Sequence, residues 1–312
     1  TRTPAAARMT TKPHLIPERS TRQWQAADAA HFLHPFTDFA ALAQKGSRII
    51  TRAEGIHLWD SDGRKLLDAM SGEHAADPLS LPALSTSFLS ATRSGNKPTR
   101  IAYSPDLGIT PVDPEVKAVT RKAAERFAEA GAIVEEAHPD LREAHECFHV
   151  LRAFDFAISK AELLRTKRDL LKPEVIWNIE AGLKLTVEKL ERAEAQRVAM
   201  TQRALEFFET YDLLLAPATI VPPFPVEHRY VAECDGKTFD NYVEWLGIVY
   251  AITLACCPAL SLPCGFTASG LPVGLQMVAK PRAEAQLLAG AKVLEDILGV
   301  RGTTPIDPRP PR

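Results

Sequence analysis

The chain has 312 residues, of which 46% are hydrophobic and 24% charged, a balance typical of a folded protein with one large domain or two ordinary ones. The formal net charge of −2 provides no global electrostatic field that would recruit nucleic acid or an anionic membrane. No apolar run is long enough to span a bilayer, and residues 1–20 lack the apolar segment typical of a secretory signal.

Cysteine usage indicates a reducing environment. The chain contains five cysteines, an odd and low number, and Cys256 and Cys257 are adjacent. The sequence has no spacing typical of a disulfide framework, so we predict a reduced protein in the cytoplasm.

The first predicted elements are a tail and a helix. Residues 1–20 are polar with scattered prolines and predict a flexible tail. Residues 21–45 predict a helix, which His34-Pro35 interrupts because the residue before a proline is disfavoured in the helical conformation.

A β-hairpin is predicted next. β-branched and aromatic residues flank Asp62-Gly63, a dipeptide typical of tight hairpin turns. We place the strands at residues 56–60 and 64–68, and we interpret the Ser-, Pro- and Ala-rich stretch 73–99 as mostly loop.

From residue 100 onward the pattern alternates between strands and helices. Strands are predicted at 99–108, 132–137, 211–218, 258–266 and 272–279, the last two joined by a turn at Ser269-Gly270. Helices are predicted at 116–127, ended by Gly131, and at 141–165, 174–209, 239–255 and 283–298. This alternation, which contains no internal repeat, indicates an α/β layered fold.

The stretch AHECFHV at residues 144–150 contains His-Glu-x-x-His, the signature of many zinc peptidases. On a helix, His145 and His149 share a face and could bind one zinc ion, while Glu146 would act as general base on the bound water. These three residues are therefore the candidate metal-site residues.

The surrounding sequence argues against a zinc site. The extended form of the motif requires a glycine where Arg152 lies and a histidine where Asp155 lies, and the downstream carboxylates Glu162 and Glu174 belong to no recognisable motif. The alternative is two solvent-facing or half-buried histidines on an amphipathic helix. We favour this alternative and expect no bound metal or cofactor.

The C-terminal part of the chain resembles the amidase signature family. The most specific residues are PALSLP at 258–263 and GLPVGLQ at 270–276, and the similarity extends back through 99–136 to DPLSLP at 77–82. It covers about residues 75–310 and corresponds to the C-terminal half of the family. The resemblance implies an α/β/α layered mixed sheet, present here in part, and hydrolysis of the C–N bond of small-molecule carboxylic amides.

The same resemblance implies a catalytic triad that we do not find in the sequence. Family members use a serine nucleophile, a second serine and a lysine of lowered pKa, with a Gly/Ser-rich loop that donates N–H groups to the oxyanion. The sequence contains no Gly-Gly-Ser-Ser tract, and its Ser-Gly pairs at 71–72, 94–95 and 269–270 lie in no glycine-rich loop. We therefore assign no catalytic residue and expect this chain to be inactive alone.

A different resemblance covers residues 21–70, which are similar to the N-terminal segment of class III pyridoxal-phosphate aminotransferases. The matching residues include HPFTD at 34–38, RAEG at 52–55 and LWD at 58–60. In that family the segment is a helix and a small hairpin that precede the cofactor-binding residues, so the resemblance implies no pyridoxal phosphate site here. We interpret the lysines of the charged helical segments as surface residues: Lys160, Lys167 and Lys172.

The two resemblances meet near LDAMSG at residues 67–72. We interpret the chain as a chimera with a junction between about residues 66 and 77, an aminotransferase-like arm at 21–72 and an amidase-type part at 73–312. Half of a mixed sheet would leave strand edges and apolar faces uncovered, so we expect a homo-oligomer or a complementing partner chain.

Overall fold

A computed structural model describes residues 20–31, 44, 46–54, 57–67 and 87–300 of the chain. The chain divides into two compact units, Thr1–Ser85 with Ile306–Arg312, and Thr86–Pro305. The predicted helix break at His34-Pro35 and residues 68–77 of the predicted junction lie outside the described residues.

The first unit contains a helix and a small antiparallel sheet. Its elements are α1 (Thr21–His31), β1 (Ile50–Glu54), β2 (His57–Asp60) and β3 (Lys65–Leu67), and the strands have the order β1-β2-β3. The predicted hairpin corresponds to β2 and β3, whereas β1 is a strand that the sequence analysis missed. The buried carboxylate of Asp60 accepts hydrogen bonds from the N–H groups of Asp62 and Arg64 and so stabilises the predicted turn.

The second unit contains seven α-helices within the described residues. They are α2 (Phe88–Arg93), α3 (Pro114–Glu125), α4 (Ala144–Lys167), α5 (Pro173–Leu183), α6 (Val187–Phe207), α7 (Gly247–Leu254) and α8 (Glu284–Leu298). Short 3₁₀ helices lie at Arg126–Ala130, Arg168–Leu170 and Glu244–Leu246. Side-chain caps define several helix starts; the Asp113 carboxylate, for example, accepts N–H groups of the first turn of α3.

The strands of the second unit form a mixed five-stranded sheet and a two-stranded ribbon. The strands are β4 (Arg100–Tyr103), β5 (Ile133–Glu136), β6 (Leu213–Pro217), β7 (Glu233–Cys234), β8 (Lys237–Thr238), β9 (Ala259–Phe266) and β10 (Pro272–Val278). The main sheet has the order β5-β4-β6-β10-β9, with parallel pairs at β5-β4-β6 and antiparallel pairs at β6-β10-β9. Strand β6 is buried along its whole length and forms the centre of the core.

Helices cover both faces of this sheet. On one face the Tyr103 hydroxyl donates to a backbone carbonyl of α3, and Gly290 of α8 lies against the Leu213 side chain. On the other face Gln276 donates to a backbone carbonyl of α7, and α7 in turn contacts α4. The predicted α/β/α layered mixed sheet is therefore confirmed.

Three predicted elements differ from the structure. The predicted helix 174–209 is two helices, because α5 ends at Leu183 and the Thr186 hydroxyl caps the start of α6. In the segment 239–255, which was predicted to be helical throughout, the first helix is the 3₁₀ helix that begins at Glu244. The stretch 73–99, which was predicted to be mostly loop, contains helix α2 in its described part. The two-residue strands β7 and β8 were not predicted. The other strands and the α-helices after residue 100 lie where the alternating pattern predicted them.

Candidate functional site

His145 of the His-Glu-x-x-His stretch points into the protein. Its Nε2 lies 2.9 Å from the carbonyl oxygen of Ile109, and its Nδ1 contacts the hydroxyl of Tyr250. A carbonyl oxygen can only accept, so Nε2 carries the proton and Nδ1 accepts the Tyr250 hydroxyl. Burial raises the pKa of Tyr250, which keeps this donor protonated. Both ring nitrogens are therefore already hydrogen-bonded.

Glu146 and His149 have different surroundings. Glu146 is exposed, forms an ion pair with Arg192 and accepts a hydrogen bond from Gln196 at 2.8 Å, both on α6. His149 is half-buried against the edge of Trp177, and burial lowers its pKa. Within residues 87–300 and the shorter described segments, no three His, Cys, Asp or Glu side chains lie where they could hold one metal ion. The helix predicted at 141–165 is thus present, but its three candidate residues do not converge.

An aromatic and polar cluster joins the helices around this stretch. Phe148 stacks on Tyr250 with ring centroids 4.0 Å apart. The Tyr242 hydroxyl accepts hydrogen bonds from Arg152 at 2.9 Å and from Asn178 at 2.6 Å. These contacts connect α4, α5 and α7, which indicates a packing role for this region.

The free edge of the main sheet, unlike the packed aromatic cluster, lies beside an open groove. Strand β9 pairs with β10 on one side and has no strand on its other side among the described residues. Next to this edge lies an open groove with a volume of about 920 Å³. Its walls come from β9, β10, the segment after β6, the 3₁₀ helix before α7 and the end of α8.

The groove is lined mainly by apolar side chains. Prominent among them are Phe224, Trp245 and Phe266, and Phe266 is 62% exposed. The lining includes Ser261 and Thr219 but no described His, Lys, Asp or Glu, so no general base lies beside either hydroxyl. The groove can bind an apolar surface but does not by itself provide acid–base catalysis.

The sequence motifs of this region suggested a family resemblance but no functional residue, and the groove was not predicted. A signal was present in β9, where Ala259, Ser261 and Pro263 alternate with Leu260 and Leu262. A proline inside a strand indicates an edge, because proline cannot donate to a second neighbouring strand.

Four of the five cysteines are not activated as nucleophiles. All five are free, and burial raises the pKa of Cys264, in the groove wall, to about 12. Burial likewise raises the pKa of Cys257 to about 12 and those of Cys147 and Cys234 to about 11. These four thiols are therefore protonated at neutral pH.

The described Ser-Gly pairs lie in turns. Gly95 and Gly270 both have positive φ, at 71° and 85°, where glycine is favoured, and the Ser94 hydroxyl bonds back to α2. Neither turn forms an array of N–H groups around a serine. The third pair, at 71–72, lies outside the described residues.

The comparisons with known proteins find relatives of two kinds. A family model described as Amidase matches residues 61–288. An acylamidase of Rhodococcus erythropolis is 32% identical over 240 residues, which cover 76% of this chain and 50% of the acylamidase. A putrescine–pyruvate aminotransferase of Pseudomonas aeruginosa is 56% identical over 57 residues, 18% of this chain and 12% of that enzyme.

A solved structure supports the same relationship at the level of the fold. The crystal structure of a bacterial aryl acylamidase of the amidase signature enzymes superposes with a TM-score of 0.65 and 23% identity, over 72% of this chain and 49% of that one. The chain thus spans about half the length of these two amidase relatives. No helix in the described segments combines the length and apolarity needed to cross a membrane. Because the family model matches well over half of its residues, the chain belongs to the amidase family.

Proposed function

We propose that this chain is the non-catalytic part of an amide hydrolase, an enzyme that cleaves the C–N bond of small-molecule carboxylic amides. The observation that carries the proposal is the 32% identity to the Rhodococcus erythropolis acylamidase over 240 residues. The apolar groove beside β9 supports it, since such a surface could contribute one wall of a pocket for the apolar part of an amide.

We infer that the chain is inactive alone. Hydrolysis by a serine enzyme requires a nucleophile, a base within hydrogen-bond reach and donors for the oxyanion. Ser261 and Thr219 in the groove have no neighbouring base, and the described Ser-Gly pairs provide no oxyanion-binding loop. The complete reaction would then need a complementing part that contributes these groups.

The arm at residues 21–72 is proposed to derive from an aminotransferase. The 56% identity to the Pseudomonas aeruginosa enzyme over 57 residues supports this origin, as does the small helix-and-sheet unit. Because the similarity covers only 12% of that enzyme, we propose no transaminase activity for the arm.

An assay of the purified 312-residue chain on aliphatic and aryl amides tests the function. We expect no turnover by the chain alone under conditions in which the Rhodococcus erythropolis acylamidase is active. Turnover that a serine-directed inhibitor abolishes would contradict the inferred inactivity and would locate a nucleophile within this chain.

A further inference from the structure

The end of helix α7 carries two adjacent cysteines on an unusual backbone. The N–H of Cys256 donates to the carbonyl of Thr253 at 3.1 Å. The N–H of Cys257 donates to the carbonyl of Ile252 at 3.4 Å. These two bonds form a Schellman motif, in which the residue after the cap adopts the left-handed conformation and is usually glycine. Cys256 occupies that position with a φ of 56°. A residue other than glycine costs free energy there, and residues strained in this way cluster at functional sites.

This turn places both thiols at the same end of the helix. Cys256 is exposed, Cys257 is half-buried, and both are free. The Cys256 Sγ lies 3.8 Å from the carbonyl oxygen of Leu254, and the Cys257 Sγ lies 3.4 Å from that of Ala255. Because these two carbonyls belong to consecutive residues at the C-terminal end of α7, the two sulfurs lie at that end together, and solvent reaches the pair through Cys256.

The surroundings of this dithiol favour a ligand that takes two neutral thiols. Burial raises the pKa of Cys257 to about 12, so this sulfur carries its proton at neutral pH. Zinc and related ions bind deprotonated sulfur. Among the described residues, moreover, no three His, Cys, Asp or Glu side chains are placed to hold one such ion. An arsenoxide, in contrast, reacts with two thiols and releases their protons in a molecule of water.

We propose that Cys256 and Cys257 form a binding site for a trivalent arsenical whose arsenic atom carries one organic group and has two positions for sulfur. In the arsenoxide form of this ligand, R–As=O, the exposed Cys256 sulfur bonds to arsenic first and the Cys257 sulfur closes the ring. Two S–H bonds and the As=O bond break, two S–As bonds form, and the oxygen leaves with both protons as water. The oxidation states of arsenic and sulfur do not change, so the step needs no oxidant or reductant.

A disulfide between the same two residues fits this turn less well. The Cα atoms of neighbouring residues lie about 3.8 Å apart, whereas disulfides usually join Cα atoms about 4.4–6.8 Å apart. A direct S–S bond would therefore add strain, while an inserted arsenic atom lengthens the bridge between the sulfurs. Once the first S–As bond has formed, the second thiol reacts within the same molecule, at an effective concentration far above that of a separate thiol. Cys256 and Cys257 are the only adjacent pair among the five cysteines.

Binding of phenylarsine oxide to the reduced full-length chain tests the proposal. We expect one adduct per chain by native mass spectrometry, with the mass of the reagent less one water. A dithiol such as dithiothreitol should remove the adduct, whereas mercaptoethanol at the same concentration of thiol groups should leave it in place, because a monothiol gains no ring closure.

Single substitutions locate the adduct. Cys256→Gly removes one thiol and places glycine at the positive φ, so binding should weaken by about a hundredfold or more while the melting temperature stays the same or rises. Cys257→Ser should weaken binding to the same degree. Cys264→Ser changes a buried thiol in β9 and is the matched control, which should bind as tightly as the unchanged chain. Thermal melting checks that each variant is folded.

Absence of the adduct on the unchanged chain would overturn the proposal. Binding of unchanged affinity in Cys256→Gly or Cys257→Ser would also overturn it, because the arsenic would then lie on other thiols, and loss of binding in folded Cys264→Ser has the same meaning. Cys256→Gly should not lower stability, so lost binding in that variant is not explained by unfolding. None of these measurements depends on amide hydrolysis, so their outcome leaves the proposed function to its own assay.

Discussion

The histidine-containing turn of α4 and the free edge of β9 differ in what the sequence predicts and in what the structure shows. The turn carries a recognisable motif, yet each of its polar side chains already has a partner within the chain. The β9 edge carries no catalytic motif, yet no described strand pairs with it and exposed aromatic side chains lie beside it. A recognisable motif therefore does not by itself indicate a site.

The close packing around the turn provides the largest expected effect. A Cβ on Gly182 of α5 would lie 1.9 Å from the carbonyl oxygen of Ala153 on α4, so Gly182→Ala must separate the two helices. We expect the free energy of unfolding to fall by about 3 kcal/mol. Chemical denaturation measures it, with Lys184→Ala, at an exposed position, as the control. An unchanged midpoint would show that α4 and α5 are not packed as described.

The hydrogen bond between His145 and Tyr250 is the next most important contact. Tyr250→Phe removes the donor and leaves Nδ1 of His145 unsatisfied, which should lower the free energy of unfolding by about 1–2 kcal/mol. Tyr211→Phe, at a half-buried tyrosine, is the matched control and should have a smaller effect. Equal effects for the two variants would contradict a specific role for this bond.

His149 should give the chain a modest dependence of stability on pH. Burial lowers its pKa in the folded state, whereas the unfolded state takes up the proton near its ordinary pKa of about 6.5. Its contribution is complete above that pH and is lost as the pH falls below it, with a slope of at most about 1.4 kcal/mol per pH unit. Denaturation at pH 7.5 and 5.5 should show a smaller difference for His149→Gln than for the unchanged chain, and an equal difference would assign the dependence to other groups.

Metal content should show the smallest effect. Because the candidate residues bind separate partners, we expect dialysed protein to contain zinc far below one equivalent, with no change in His145→Ala or His149→Ala. Elemental analysis measures this directly. One equivalent of zinc that is lost in both variants would show that the turn rearranges to bind metal.

The positions of individual strands and helices were predicted better from the sequence than the surfaces that these elements form together. The positions of β4, β6, β9 and β10 follow from apolar runs bounded by Gly and Pro, and the family resemblance implied the layers that surround them. The break between α5 and α6 was missed because a helical periodicity continues through it, although Thr186 provided a capping signal. The edge position of β9 depends on strand order, a long-range property that periodicity does not encode.

Hydrogen exchange at β9 tests the central claim that this strand is an exposed edge of the main sheet. We predict that the outward N–H of Ser261 exchanges rapidly in the free chain, while the inward N–H of Leu262, bonded to β10, is protected. A Ser261 amide that is as protected as Leu262 in the free monomeric chain would contradict the account.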